Sequence, residues 1–225
     1  MFHKQAESIY HTLCAVYQKN HDLQRADLSF FPELPIEFYD DAMDQLKQLS
    51  YMHIVDYEDK TINAIALDNK TVVRVLIDSD NRMYANISSV FNVEKNIREN
   101  IIDFTSFMDD GTVCSTVNSL SPARLTNAPV IRKRFMESDC SISELINAHE
   151  TLCFEEAYNH KSTLVPLAGS TVEVFKHANQ IHHLEATYRD TIPGKLLYDE
   201  LLSSFEYDDH IAHTMQQLLI EMDGK

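Results

Sequence analysis

The residues best suited to chemistry are histidines on an expected helix, 171–190, where His177, His182 and His183 sit among Glu173 and Glu185. His182 and Glu185 stand three apart, a spacing that puts imidazole and carboxylate on one helical face. Such a pair is half of a site for zinc or iron. His149, with Glu150 or Cys153 on the preceding helix, would supply the rest if the two helices packed face to face. No His-Glu-x-x-His motif and no Glu-x-x-His repeat accompanies them. Eleven histidines in 225 residues also fit a plainer role on surfaces and polar helix faces. The expectation is no metal and no cofactor, with His149, His182 and Glu185 the candidate ligands of the alternative, a metal-dependent hydrolase.

Other pairings are weaker. His149 and Cys153 are four apart, so an imidazole could lower the thiol's pKa and make a nucleophile. Cys153 also continues the apolar stripe Leu145, Ala148, Leu152, which reads as a small core side chain, and no catalytic residue is assigned. Asp78-Ser79-Asp80-Asn81 opens like a calcium loop, but Arg82, Met83 and Ser89 stand where such a loop needs an oxygen ligand, glycine and glutamate. A hairpin turn is expected there. Asp109 and Asp110 read as solvated residues of another hairpin tip.

One charge anomaly stands out. Residues 111–136 contain no acid but include Arg124, Arg132, Lys133 and Arg134, so this stretch is +4 and the rest of the chain −20. Guanidinium forks there would suit an anion or an acidic partner surface. On an extended segment side chains alternate, so Arg132 and Arg134 share one face and Lys133 takes the other. The structural alternative is pairing with carboxylates of the same chain.

Composition narrows the classes. Four glycines, at 111, 169, 194 and 224, lie too far apart for a dinucleotide fingerprint or a P-loop, which close bare backbone amides on phosphate. The glycine-flanked serine elbow of the hydrolases is equally missing. Four dispersed cysteines read as reduced cytosolic thiols rather than a zinc ribbon. No apolar leader and no run of about 18 apolar residues is present, so a cytoplasmic protein without membrane contact is expected. A net charge of −16 opposes nucleic-acid binding, which depends on cations displacing counterions.

The elements that must position these residues follow from periodicity. Helical spacing marks 3–19 and 36–49, the latter with Phe38, Met43, Leu46 and Leu49 inward and Asp40, Asp41, Asp44 and Lys47 outward. A connector over 28–35 holds two prolines and is expected to be pinned by Phe30 and Phe31. From residue 51 the period drops to two, giving strands over 51–57, 64–67, 71–77, 83–90, 101–108 and 112–117, with Asp110-Gly111 a strong hairpin signal. Ser141-x-x-Glu144 forms a capping box for a helix to about 156. Further helices are expected over 171–190, with Val172, Phe175, Ile181, Leu184 and Tyr188 buried, and over 195–205 and 209–222. The fold class is α+β: an antiparallel meander packed on N-terminal helices, followed by a helical C-terminal part, with an α+β domain at 1–160 and a helical extension at 161–225.

The succession LKQLSYMHIVDYEDKT, TVVRVLIDSDNRMYANI, FTSFMDDGTVCSTVNS and ISELINAHETL resembles a recurring group of bacterial proteins with no established activity, over roughly residues 40–155. Ser50 and Tyr51 stand where that group carries Gly-Phe. The resemblance implies a fold and a bacterial origin but no mechanism. On charge and the missing catalytic motifs, the expected function is protein binding, as of an inhibitor or immunity protein facing a basic partner.

Overall fold

The computed structural model describes residues 14–64, 70–92, 97–119, 127–192, 213–214 and 216–218. It shows an α+β fold built on one seven-stranded sheet, in the order β1 (Leu23–Arg25), β2 (Met52–Asp59), β3 (Val72–Ile77), β4 (Tyr84–Asn92), β5 (Ile97–Phe107), β6 (Val113–Val117) and β7 (Ile131–Phe135). Neighbours run antiparallel through β6, while β7 lies parallel to β6 with Val113 opposite Ile131. The helices are α1 (Ile36–Gln48), a single turn α2 (Lys60–Asn63), α3 (Ile142–His160) and α4 (Thr171–Arg189). Among the described residues no helix is long and apolar enough to cross a membrane. The chain forms two compact units, one of Asp22–Leu120 and Pro129–Ala178, the other of Met1–His21, Ser121–Ala128 and Asn179–Lys225.

In the first unit the sheet has a helix-covered face built from alternate residues, Val72 and Leu76, Ala85 and Ile87, Ile102 and Phe104, against Tyr39, Ala42 and Leu46 of α1 and Ile142 and Leu145 of α3. Tyr39 ties these layers together: its hydroxyl donates to the Val72 carbonyl at 2.7 Å and accepts the Ser89 N–H at 2.9 Å. Burial pushes that phenol up to about 12. On the opposite face Phe175 of α4 meets Tyr57 edge-on, and His177 stacks on Phe107 at 4.5 Å.

Helix α1 ends in a Schellman motif, with Tyr51 N–H bonded to the Leu46 carbonyl and Ser50 N–H to that of Lys47, both at 3.0 Å. Ser50 takes the left-handed position at φ 67°, where glycine is usual.

Several expectations need correction. Of the two connector phenylalanines only Phe31 is buried, beside Leu28 and Leu34, while Phe30 is 80% exposed. Leu28–Phe30 forms a 3-10 turn capped by Asp27, which accepts the Ser29 N–H, and this turn aims the two rings in different directions. On α1 Leu46 is buried and Phe38 and Met43 pack part-buried against the core as expected, but Leu49 is exposed and Tyr39 and Ala42 complete the buried stripe. Asp40 faces not only water but also Arg74, at 2.9 Å. Of the expected strand 64–67 only Ala64 is described, where it caps α2, a turn that Asp59 starts by accepting the Thr61 and Ile62 N–H groups; residues 65–69 lie outside the described residues. Val172 is 75% exposed, and Val174 and Ala186 are buried instead. Of the expected first helix, 3–19, residues 14–19 are described: 14–16 are helical, and the helix has ended by residue 17. Of the expected helices over 195–205 and 209–222, residues 213, 214 and 216–218 are described and helical.

Candidate functional site

Helix α3 starts at the capping box: the Ser141 hydroxyl accepts the Glu144 N–H at 3.3 Å, and the Glu144 carboxylate accepts the Ser141 N–H at 2.8 Å. It ends at Lys161 in the left-handed region, φ 56°. The chain then doubles back along β5. Asp109 anchors this strap, its two carboxylate oxygens accepting the Thr163 N–H and hydroxyl, each at 2.9 Å. Val165 N–H reaches the Phe107 carbonyl at 2.8 Å, and Leu167 N–H that of Asn81 at 2.6 Å. Asp110 accepts the Thr112 N–H at 2.9 Å, so Asp109 holds the strap and Asp110 the turn, and these backbone hydrogen bonds keep both below the usual carboxylate range. In the β3–β4 turn Asp78 accepts the Arg82 and Met83 N–H groups at 2.7 and 2.9 Å.

Between this turn, the strap and α3 lies a cavity of about 520 Å³, with Ser106, His149, Cys153 and Ser162 in its wall and Asp78, Asp80 and Glu150 among its charged lining. His149 is fully buried. Its Nε2 lies 2.9 Å from the Ser106 hydroxyl and 3.5 Å from the Cys153 sulfur, and its Nδ1 lies 3.2 Å from the Thr116 hydroxyl. Ser106 gives its one proton to the Arg82 carbonyl at 2.8 Å. Its oxygen therefore offers only lone pairs to the ring, so Nε2 carries hydrogen and points it toward Ser106 and Cys153, while Thr116 donates to Nδ1.

Cys114 of β6 sits directly opposite Ser106 in the β5–β6 ladder and packs with Met108, Leu152 and Cys153. A hydrogen bond from Cys114 pulls Cys153 well below the ordinary thiol range, with His149 and Ser106 assisting against the opposing effect of burial. The same bond, together with burial, pushes Cys114 up. Ser162, 6% exposed, lines the cavity, and its hydroxyl has no hydrogen-bond partner among the described residues.

A second, wider hollow of about 620 Å³ lies beside the start of α3. Its thiol, Cys140, is pushed up by burial and by the charges of Glu144 and Asp139, which disfavours a thiolate there.

The other sequence candidates have separate partners. Arg132 meets Glu156 at 3.3 Å; Arg134 meets Glu155 at 2.7 Å and the Ala148 carbonyl at 2.9 Å. Both guanidinium groups therefore face α3, and an anion there would have to displace a carboxylate. Arg124 lies outside the described residues. In the other unit His182 stacks on His21, ring centroids 3.6 Å apart and planes 9° apart, and Glu185 accepts the Ala128 N–H at 2.9 Å. His177 lies in the first unit, 3.2 Å from the Tyr84 hydroxyl, its pKa lowered by burial.

Sequence reasoning paired His149 with Cys153 but missed Ser106, Cys114, Thr116 and Ser162. The one available signal was Ser106, Cys114 and Thr116, small or polar residues at core-facing positions of otherwise apolar strands. Compared with known proteins, the chain matches no family model, no curated protein and no solved structure.

Proposed function

We propose that the protein is a binding module that captures a basic segment of a partner protein on the outer face of α3 and in the cavity beside it. The observation that carries this reading is an exposed aromatic pair: Phe154 is 71% and Tyr158 78% exposed, with centroids 6.5 Å apart and planes 20° apart. Large aromatics left in water side by side suit the anchors of an interface. Glu150, Phe154 and Tyr158 follow one another at four-residue spacing, so one stripe of the helix presents a carboxylate and two rings. Phe154 and Glu150 also line the cavity, with Asp78 and Asp80 across from them and Arg82 the single cation of that lining.

Charge selects the occupant. In a chain of net charge −16, this concentration of carboxylates draws Lys and Arg by long-range attraction. The cavity then accepts one apolar side chain of the same segment. Arg132 and Arg134 hold α3 on the sheet edge and so present the face rather than contact the partner.

The test uses a Lys/Arg-rich peptide carrying one Leu and the same peptide with Glu at its basic positions. Titration calorimetry should show binding of the basic peptide alone, weakened by added salt. Phe154→Ala and Tyr158→Ala should each reduce affinity about 10-fold or more without changing the thermal midpoint. Equal binding of the acidic peptide, no binding of either, or full affinity in both variants overturns the proposal.

A further inference from the structure

We propose that Cys153 is a hydroperoxide-reactive thiol and that Cys114 resolves its oxidised form into an intramolecular disulfide. Three observations meet at this point, in the same cavity that the proposed partner segment would enter, and they stand without that reading. Cys153 opens onto a cavity large enough for a small oxidant. The Nε2–H of His149 lies 3.5 Å from its sulfur, and the Cys114 side chain packs in the same cluster; a thiol beside such a donor is favoured as thiolate, the nucleophilic form. In the wall of the same cavity the buried Ser162 hydroxyl has no acceptor among the described residues, which leaves its proton for an oxygen of the incoming molecule.

The chemistry balances without any further reagent. The Cys153 thiolate attacks one oxygen of the hydroperoxide, an S–O bond forms as the O–O bond breaks, and the departing alkoxide takes up a proton and leaves as alcohol, or as water from hydrogen peroxide. Sulfur is oxidised by two electrons to sulfenic acid as the peroxide is reduced. Cys114 sulfur then attacks Cys153 sulfur; the S–S bond forms, the S–OH bond breaks, and hydroxide leaves as water with the Cys114 proton. The contact of the two side chains in one apolar cluster with Leu152 and Met108 places the resolving thiol beside its target before oxidation.

Accessibility alone gives the opposite order. Cys14 and Cys140 are part-exposed, whereas Cys114 and Cys153 are buried. If exposure governed reaction, Cys14 and Cys140 would oxidise first. The donors around Cys153 are expected to reverse that order, as for site-selective oxidation elsewhere.

The experiment treats the full-length protein with limiting hydrogen peroxide, alkylates remaining thiols at intervals under denaturing conditions, and maps each cysteine by mass spectrometry. Wild type should lose Cys153 about 10-fold or more faster than Cys14 or Cys140, with a Cys114–Cys153 disulfide as product. Cys114→Ser should stop at a dimedone-trappable sulfenic acid on Cys153. Because wild type alone decides the order and the pairing, a variant that fails to fold does not obscure the result. Earlier loss of Cys14 or Cys140, equal rates, or a Cys153 product not paired with Cys114 overturns the proposal.

Discussion

Arg74 meets two carboxylates at nearly the same distance, and burial together with a two-point grip on one of them should separate their importance. Its Nε and Nη2 meet both oxygens of Asp56 at 2.9 and 3.0 Å, and its Nη1 meets Asp40 at 2.9 Å. Side-chain exposure is 10% for Arg74 and 14% for Asp56, but 56% for Asp40. Asp56→Asn leaves a desolvated guanidinium on β3 with only a half-exposed partner. Removing one member of a buried pair costs roughly 3–5 kcal/mol, because the remaining charge has lost its water as well as its partner. Asp40 still offsets part of that, so a loss of about 3 kcal/mol is expected. Asp40→Asn should cost under about 1 kcal/mol, since water screens and replaces an exposed carboxylate. With a urea m-value of about 2–3 kcal/mol/M for a chain of this size, the first change lowers the midpoint by about 1–1.5 M and the second by a few tenths. Urea unfolding followed by far-ultraviolet circular dichroism measures both. Equal midpoint shifts for the two variants, at unchanged m, would refute the argument that desolvation rather than distance sets the energy.

The same aspartate predicts a pH dependence. Burial raises its pKa, but hydrogen bonds from His53 and Arg74 outweigh that and hold it below the usual carboxylate value. Its stabilisation is therefore present above the unfolded pKa of about 3.9 and is lost as pH falls through the lower folded value. The stability difference between wild type and Asp56→Asn should shrink below about pH 4; a constant difference down to the acid transition contradicts this. Ser50→Gly should stabilise the fold, since a left-handed L-residue costs roughly 1–2 kcal/mol and glycine's extra unfolded-state entropy takes back about 0.5–1 kcal/mol. A rise of about 1–4 °C in thermal midpoint is expected, and a fall in midpoint would show that the Ser50 side chain contributes something the backbone argument omits.

Local chemistry was legible in the amino-acid sequence because it is written in adjacent residues. The Asp78 and Asp110-Gly111 turns, the Ser141/Glu144 capping box and the change of period at residue 51 each depend on side chains acting on backbone within about five positions. The antiparallel sheet from β2 to β6 follows from those turns, since short polar connections leave no room for crossovers. Strand β7 was not legible, because its helix-facing residues are Arg132 and Arg134, whose polarity is matched only by Glu155 and Glu156 of α3. Nor could periodicity separate Phe30 from Phe31, or Leu49 from Tyr39, where a turn or a helix end rotates one side chain into water. The thiol site is the clearest division. The i,i+4 spacing puts His149 and Cys153 on one face of α3, but Ser106, Cys114 and Thr116 come from β5 and β6, and Ser162 from the strap beyond α3. They meet because sheet register places Ser106 opposite Cys114 and Thr116 opposite Phe104, and because α3 lies across those strands. Pairing between distant strands is decided by burial of the whole apolar face, a sum over many residues, so tertiary packing alone determined which donors surround Cys153.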